Sequence, residues 1–262
     1  MNRSRGTDRV RVVYHPAFLS GYSAADCECP GRVSSIMAEL APRFTVVQPE
    51  PCTDADILRS HSEGLICQER MDPTRLEVAR LAAGGAILAA ELSLDGNIAF
   101  ACVRPPGHHS NPDHNWGFCI FNNMAIAMKK LLAEERIASA LVLDIDLHFG
   151  DGTDAIFAGD DRVEVINVQH PNPGDFLRGT GARLARARHA DIIGISAGFD
   201  GYEKDWGACL ETEDYRRVGA LAAECASRLG AKLFAVLEGG YYLPDLGKNA
   251  LALIEGMCDI EQ

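Results

Sequence analysis

Two aspartates and a histidine at alternate positions, Asp144, Asp146 and His148 in "LVLDIDLHFGDGTD", interrupt an otherwise apolar strand-like run. Ionised carboxylates in a buried strand are costly unless they are paired or bind a cation. Residues i, i+2 and i+4 of a strand share a face, so these three would point one way and Leu143, Ile145 and Leu147 the other. Adjacent His108 and His109 in "RPPGHHS", Asp200 in "SAGFD" and Tyr241 in "LEGGYYL" complete an inventory that suits metal-assisted hydrolysis. Asp146, His148 and Asp200 can supply three ligands and leave a position open, as catalytic zinc sites do. Such a metal acidifies its water and polarises a carbonyl. A neighbouring histidine can take the proton and return it to a leaving amine, and a tyrosine hydroxyl can donate to the developing oxyanion. Asp144 and Asp151 remain, each free to orient one histidine through its second ring nitrogen. Carboxylate-rich ligation suits Fe2+ as well as Zn2+.

These residues need elements that bring them together. Apolar or β-branched runs at 11–15, 97–103, 140–146, 163–168, 191–196 and 232–237 predict strands. Helical patterns at 74–94, 122–136 and 212–230 lie between them. The alternation predicts an α/β fold with a mostly parallel sheet, in one domain over residues 1–262. The His pair, the Asp144–His148 trio, Asp200, and Glu238 with Tyr241 each follow a strand. In a parallel sheet all four tips share one edge, where ligands bind. Gly239 and Gly240 would let the backbone turn sharply and present a tyrosine. The glycines of "FGDGTD" read as a turn. Taken singly, each feature is ordinary: acidic strand ends often cap helices, and a tyrosine is most often packed. Their joint placement at four strand tips carries the case.

Other residues keep plain readings. His61 reads as a helix-end or core histidine. His15, His114, His170 and His189 have no assigned role, although His114 lies between the His pair and "WGF". Cys119 reads as a buried, inert thiol, and the stripe "AAGGAILAA" as close helix packing. The 262 residues carry a formal net charge of −12, which opposes a broad grip on nucleic acid or on anionic membrane. A small cationic ligand or a Lys-rich peptide meets no such repulsion. There is no apolar run of membrane-spanning length, and the N-terminus has no secretory pattern. Nine scattered cysteines then read as reduced thiols of a cytoplasmic protein. Cys27 and Cys29 form a C-x-C pair with no partner pair at zinc-finger spacing.

The segments "RPPGHHS", "GFCIFNN", "LDIDLHFGDGT", "GTG" at 179–181, "SAGFD" and "LEGGYYL" occur in an order that resembles the histone deacetylase family. That family is taken broadly, to include acetylpolyamine amidohydrolases and acetoin-utilisation proteins. "VVYHPAFL" and "ILRSHSEGLI" resemble its opening. The resemblance implies an arginase/deacetylase-like three-layer α/β/α sandwich. It implies zinc held by Asp146, His148 and Asp200, with His109 as general base and acid and Asp151 behind it. His108, paired with Asp144, would act electrostatically, and Tyr241 would polarise the acyl carbonyl. Gly117, Phe118 and Gly240 would contact a substrate such as an acyl-lysine or another N-acyl amine.

Several departures bear on specificity. The loop after "HSEGLI" is short, and only nine residues separate Gly181 from Asp191. Arg178 stands for the proline of "PGTG", Leu177 for a second tunnel-wall aromatic, and Phe149 for the second histidine of the common "HHG". Val168 stands where relatives place a serine near a monovalent-cation site, leaving K+ around Asp144 and Asp146 open. Gly207 occupies the position of the acidic gatekeeper of polyamine-selective relatives. A shortened rim predicts an open site for small-molecule N-acyl amines as well as acyl-lysine, with a homo-oligomer as the weaker expectation. The rivals are a catalytically silent acyl-amine binder and a binuclear-metal ureohydrolase, although no "GGDHS"-like segment is present.

Overall fold

β-branched and aliphatic runs build seven strands: β1 (Val10–Val13), β2 (Thr45–Val47), β3 (Ile98–Ala101), β4 (Ala140–Asp144), β5 (Val163–Asn167), β6 (Ile192–Ala197) and β7 (Lys232–Leu237). The computed structural model describes residues 8–22, 24–169 and 172–259, so His170 lies outside the described residues. The strands form one sheet in the order β2-β1-β3-β7-β6-β4-β5, with every neighbouring pair parallel. β3, β4 and β6 are buried throughout, as strands covered on both faces must be.

Nine α-helices of the described residues accompany the sheet: α1 (Gly31–Leu40), α2 (Asp54–Ile57), α3 (Glu63–Glu69), α4 (Pro73–Leu94), α5 (Asn123–Ala133), α6 (Asp151–Phe157), α7 (Pro173–Arg186), α8 (Thr212–Leu229) and α9 (Leu243–Cys258). α4 packs on β1, β3 and β7 and against α5. α9 packs between α1 and α8, and α7 lies against α8. The sheet is therefore the middle of a three-layer α/β/α sandwich, as the resemblance implied. Two contacts show why glycine is needed between layers. A Cβ on Gly194 of β6 would fall 2.5 Å from Met124 Sδ of α5, and one on Gly84 of α4 would fall 1.9 Å from Glu50 O. The "AAGGAILAA" stripe is thus a packing surface. No helix among the described residues is long and apolar enough to cross a membrane.

Two local expectations are corrected. β4 ends at Asp144, not at 146, because the Asp146 N–H donates to the Asp144 side chain (3.0 Å) instead of continuing the ladder. "FGDGTD" is not only a turn: after Gly150 it starts α6, with Asp151 and Asp154 in the first turn, where the helix dipole favours acids. "GTG" at 179–181 lies inside α7; with Arg178 in place of proline, nothing forces the helix to stop there. Leu177 packs from that helix against the hydrophobic core.

Candidate active site

The segment after β3 is buried from Cys102 to Asn111 and held at both ends. Arg104 makes two bonds to the buried Glu28 carboxylate (2.9 and 2.7 Å) and two to the carbonyls of Phe18 and Ser20 (both 3.0 Å). Glu238, at the tip of β7, accepts from the N–H groups of Gly107 (2.7 Å) and His108 (3.1 Å). Cys119 Sγ accepts from His109 N at 3.4 Å. His61 ties the far side: its Nε2 accepts from Asn122 N (2.9 Å), so its Nδ1 donates to Asn111 O (2.8 Å). The core reading of His61 stands.

So held, the two histidines lie with ring centroids 4.0 Å apart, each with its own aspartate. His108 Nδ1 is 3.0 Å from Asp144 Oδ2, and its Nε2 faces Asp146 Oδ1 at 3.7 Å. His109 Nδ1 is 2.7 Å from Asp151 Oδ1. The environments drive these imidazoles apart. Burial disfavours charge on His108, but Asp146, Asp144 and Glu238 outweigh it and raise its pKa well above the ordinary histidine range. Burial and the neighbouring His108 charge push His109 down to about 4, against the pull of Asp151. His109 is therefore the neutral partner. With its Nδ1–H given to Asp151, Nε2 is the nitrogen that can accept a proton.

Asp146, His148 and Asp200 offer ligand atoms all within 4.8 Å of one another. His148 Nδ1 lies 3.2 Å from Asp146 Oδ1 and 2.9 Å from Asp200 Oδ2. Backbone donors aim both carboxylates: Gly239 N to Asp146 Oδ2 (2.8 Å) and Leu147 N to Asp200 Oδ1 (3.0 Å). Glycine is obligatory beside them, since a Cβ at Gly198 or Gly239 would fall 2.2 or 2.6 Å from Asp146 Oδ2. Hydrogen bonds to Asp146 and Asp200 raise His148 to about 10. Burial and the Asp146 charge lift Asp200 to about 6, and its buried Oδ2 faces His148 Nδ1 at 2.9 Å. Two buried carboxylates converging on one imidazole nitrogen are a donor set that a divalent cation fits.

Tyr241 is delivered by the turn after β7. Gly240 has φ +119°, a conformation open to glycine. Its carbonyl accepts from Arg32 Nε (2.7 Å), and Asp205 Oδ2 accepts from Tyr241 N and Tyr242 N (2.6 and 2.7 Å). Burial raises the Tyr241 hydroxyl above its ordinary range, which keeps it a donor. The sequence placed Gly240 at the substrate; in the structure Gly239 and Tyr241 line the pocket and Gly240 does not, its carbonyl being turned to Arg32.

Residues from the tips of β3, β4 and β7 thus line a pocket of about 130 Å³, His108, Asp146 and Cys119 among them, while Asp200 at the β6 tip reaches it through its contact with His148. Gly117 and Phe118 line it. Its other walls are the two tryptophans, which sequence reasoning missed. Trp206 stacks on Tyr241 with centroids 4.2 Å apart, and stands in the wall where Leu177 does not. Trp116 stacks on His109 at 3.8 Å. "WGF" beside the His pair was the available signal for Trp116; nothing in "KDWGA" marked Trp206. Gly207 bears no gatekeeper, and a Cβ there would fall 2.7 Å from Gly201 Cα. A larger, mostly apolar cavity of about 360 Å³ lies beyond Leu147, beside Val168 and Phe176. The histidine pair and the tyrosine are absent from its walls, so the smaller pocket holds the chemistry. Phe149 is exposed, and nothing in the structure explains it.

Residues 66–185 match the family described as "Histone deacetylase domain". The chain is 30% identical to a "Probable deacetylase" of Methanothermobacter thermautotrophicus, over 94% of this chain and 90% of that protein. It belongs to the histone deacetylase family. Further relatives are a "Probable deacetylase" of Archaeoglobus fulgidus (32% identical, 88% of this chain and 80% of that one) and a "Histone deacetylase-like amidohydrolase" of Pseudomonas aeruginosa (29%, 94% and 79%). Against Histone deacetylase 18 of Arabidopsis thaliana, 32% identical, the match spans only 34% of that longer protein. The crystal structure of the HDA15 HD domain superposes with a TM-score of 0.85 at 25% identity, over 96% of this chain and 90% of that one. A deacetylase-family chain on this fold is a hydrolase of amide bonds.

Proposed function

We propose that the chain is a zinc-dependent deacylase that hydrolyses an N-acyl amide: acetyl-lysine, an acetylpolyamine or a small N-acyl amine. The reading is carried by one juxtaposition. A three-ligand acidic site, an imidazole held neutral and a tyrosine hydroxyl held protonated face one small pocket. Asp146, His148 and Asp200 would hold the ion, Zn2+ or in cells Fe2+, whose bound form supplies Lewis acidity to the carbonyl and acidifies water. His109 Nε2 would accept the proton of the attacking water and return it to the departing amine, while Asp151 holds the Nδ1–H tautomer. The Tyr241 hydroxyl would donate to the carbonyl oxygen as negative charge develops there. His108, charged and paired with Asp144, would stabilise the same charge from below.

The second donor group, His108, Cys119 and Glu238, shares no carboxylate with the first. That arrangement favours one catalytic ion over a bridged pair. A potassium ion near Asp144 would lack the serine that Val168 replaces. The missing gatekeeper at Gly207 and the aromatic walls favour uncharged or flat amines beside lysine. A cytoplasmic site of action and a homo-oligomer complete the proposal. The test is a screen of zinc-loaded protein on acyl-lysine peptides, acetylpolyamines and small N-acyl amines. Turnover that is lost in Tyr241→Phe while zinc stays bound supports the proposal. Ligand affinity without turnover across the panel would replace it with a silent binder.

A further inference from the structure

Trp116 is one of only two tryptophans in the chain, and 49% of it is exposed. Half of the indole stays in water, so packing accounts for only part of its placement. Its contacts are specific. The ring lies on the His109 imidazole with centroids 3.8 Å apart and planes 30° from parallel. Its Nε1–H donates to Asp151 Oδ2 at 2.9 Å. Both oxygens of the Asp151 carboxylate are then engaged: Oδ1 takes His109 Nδ1 (2.7 Å), and Oδ2 takes Trp116 and Asn111 Nδ2 (2.8 Å).

Asp151 needs such help where Asp144 does not. The Asp144 side chain is 1% exposed, closed in by the protein; that of Asp151 is 35% exposed, at the first residue of α6. A partly solvated carboxylate can rotate and exchange its partners for water, and His109 would turn with it. We propose that Trp116 is a positioning residue for His109: its N–H fixes the rotation of the Asp151 carboxylate, and its ring fixes the plane of the imidazole. The inference rests on His109 being the proton-transfer group of the proposed hydrolase. Hydrogen-bond partners of metal-ligating histidines typically cost about 10–100-fold when removed, and the lower end of that scale is expected for a partner acting on a catalytic imidazole through its carboxylate.

The test uses the full-length zinc-loaded protein. Trp116→Phe keeps a ring over His109 and deletes only the N–H donor. It is expected to lower kcat about tenfold, with KM within about twofold. In an Asp151→Ala background the same substitution is expected to change kcat by less than about twofold, because the group it acts through is gone. An unchanged kcat, a loss confined to KM, or an equal loss in both backgrounds would overturn the proposal. The second arm needs no turnover. In 15N-histidine-labelled protein, the His109 Nδ1–H resonance, assigned by its disappearance in His109→Gln, is expected to shift or broaden in Trp116→Phe. A resonance that stays sharp and in place counts against Trp116 even if the protein proves to hydrolyse nothing.

Discussion

The two histidine–aspartate pairs of this site are the same in composition and opposite in state. His108–Asp144 is sealed: both side chains are nearly inaccessible, and Asp146 and Glu238 add negative charge around the imidazole. His109–Asp151 lies at the pocket wall, with its aspartate partly in water, an indole on its ring and the charged His108 beside it. Their surroundings draw the first imidazole towards the cation and keep the second neutral. Like residues therefore divide the work by surroundings alone: the buried pair supplies fixed charge, and the rim pair supplies a base. Two titratable groups pushed in opposite directions are the usual mark of an assigned acid and base.

If this contrast is right, one substitution should read differently in the two pairs. Asp144→Ala strands a buried cation and is expected to cost about 3–5 kcal/mol of stability in denaturant unfolding. Asp151→Ala, at the rim, strands no charge but leaves hydrogen-bond donors unpaired, and should cost about 1–2 kcal/mol by the same measurement. Equal losses would erase the distinction. Next in size, Tyr241→Phe removes the oxyanion donor. It should lower kcat about 10²–10³-fold with zinc content unchanged by metal analysis.

A third effect concerns the anchor shared by both pairs. His61 is buried, and desolvation lowers its pKa from 6.5 to about 4. The unfolded chain therefore binds a proton on His61 that the folded chain refuses between those values. Its contribution is complete above about pH 6.5 and is lost as pH falls through 4, a change of order 3 kcal/mol. Unfolding free energies between pH 7 and 4 should fall less steeply in His61→Gln than in the parent; parallel curves would show that His61 is not held neutral. The smallest expected effect is on turnover in Asp151→Asn: a 10–100-fold loss of kcat, about, from the weakened hold on the His109 tautomer, with little change in stability.

Much of this was legible in the chain. A strand periodicity broken by two aspartates, and polar residues after four separate strands, can be read without coordinates because a parallel sheet sends all its C-terminal ends to one edge. What could not be read depends on distance across the sheet or on the absence of a breaker. Trp206 reaches Tyr241 through a stack between segments 35 residues apart. α7 runs through three glycines, a run with poor helix propensity, because its Asn172 cap, its Pro173 start and its packing on α8 outweigh that cost. Glu238 was visible as a strand-tip acid, but not as the acceptor that holds Gly107 and His108 in place.

The most direct test of the whole account is acyl release by zinc-loaded wild type and by His109→Gln, with zinc per chain measured on the same samples. Expected is turnover on at least one N-acyl amine by the wild type. The variant should keep its zinc and lose about 10²–10⁴-fold in kcat. A variant that keeps its zinc and turns over at close to the wild-type rate would contradict the assignment of the rim histidine as the proton-transfer group.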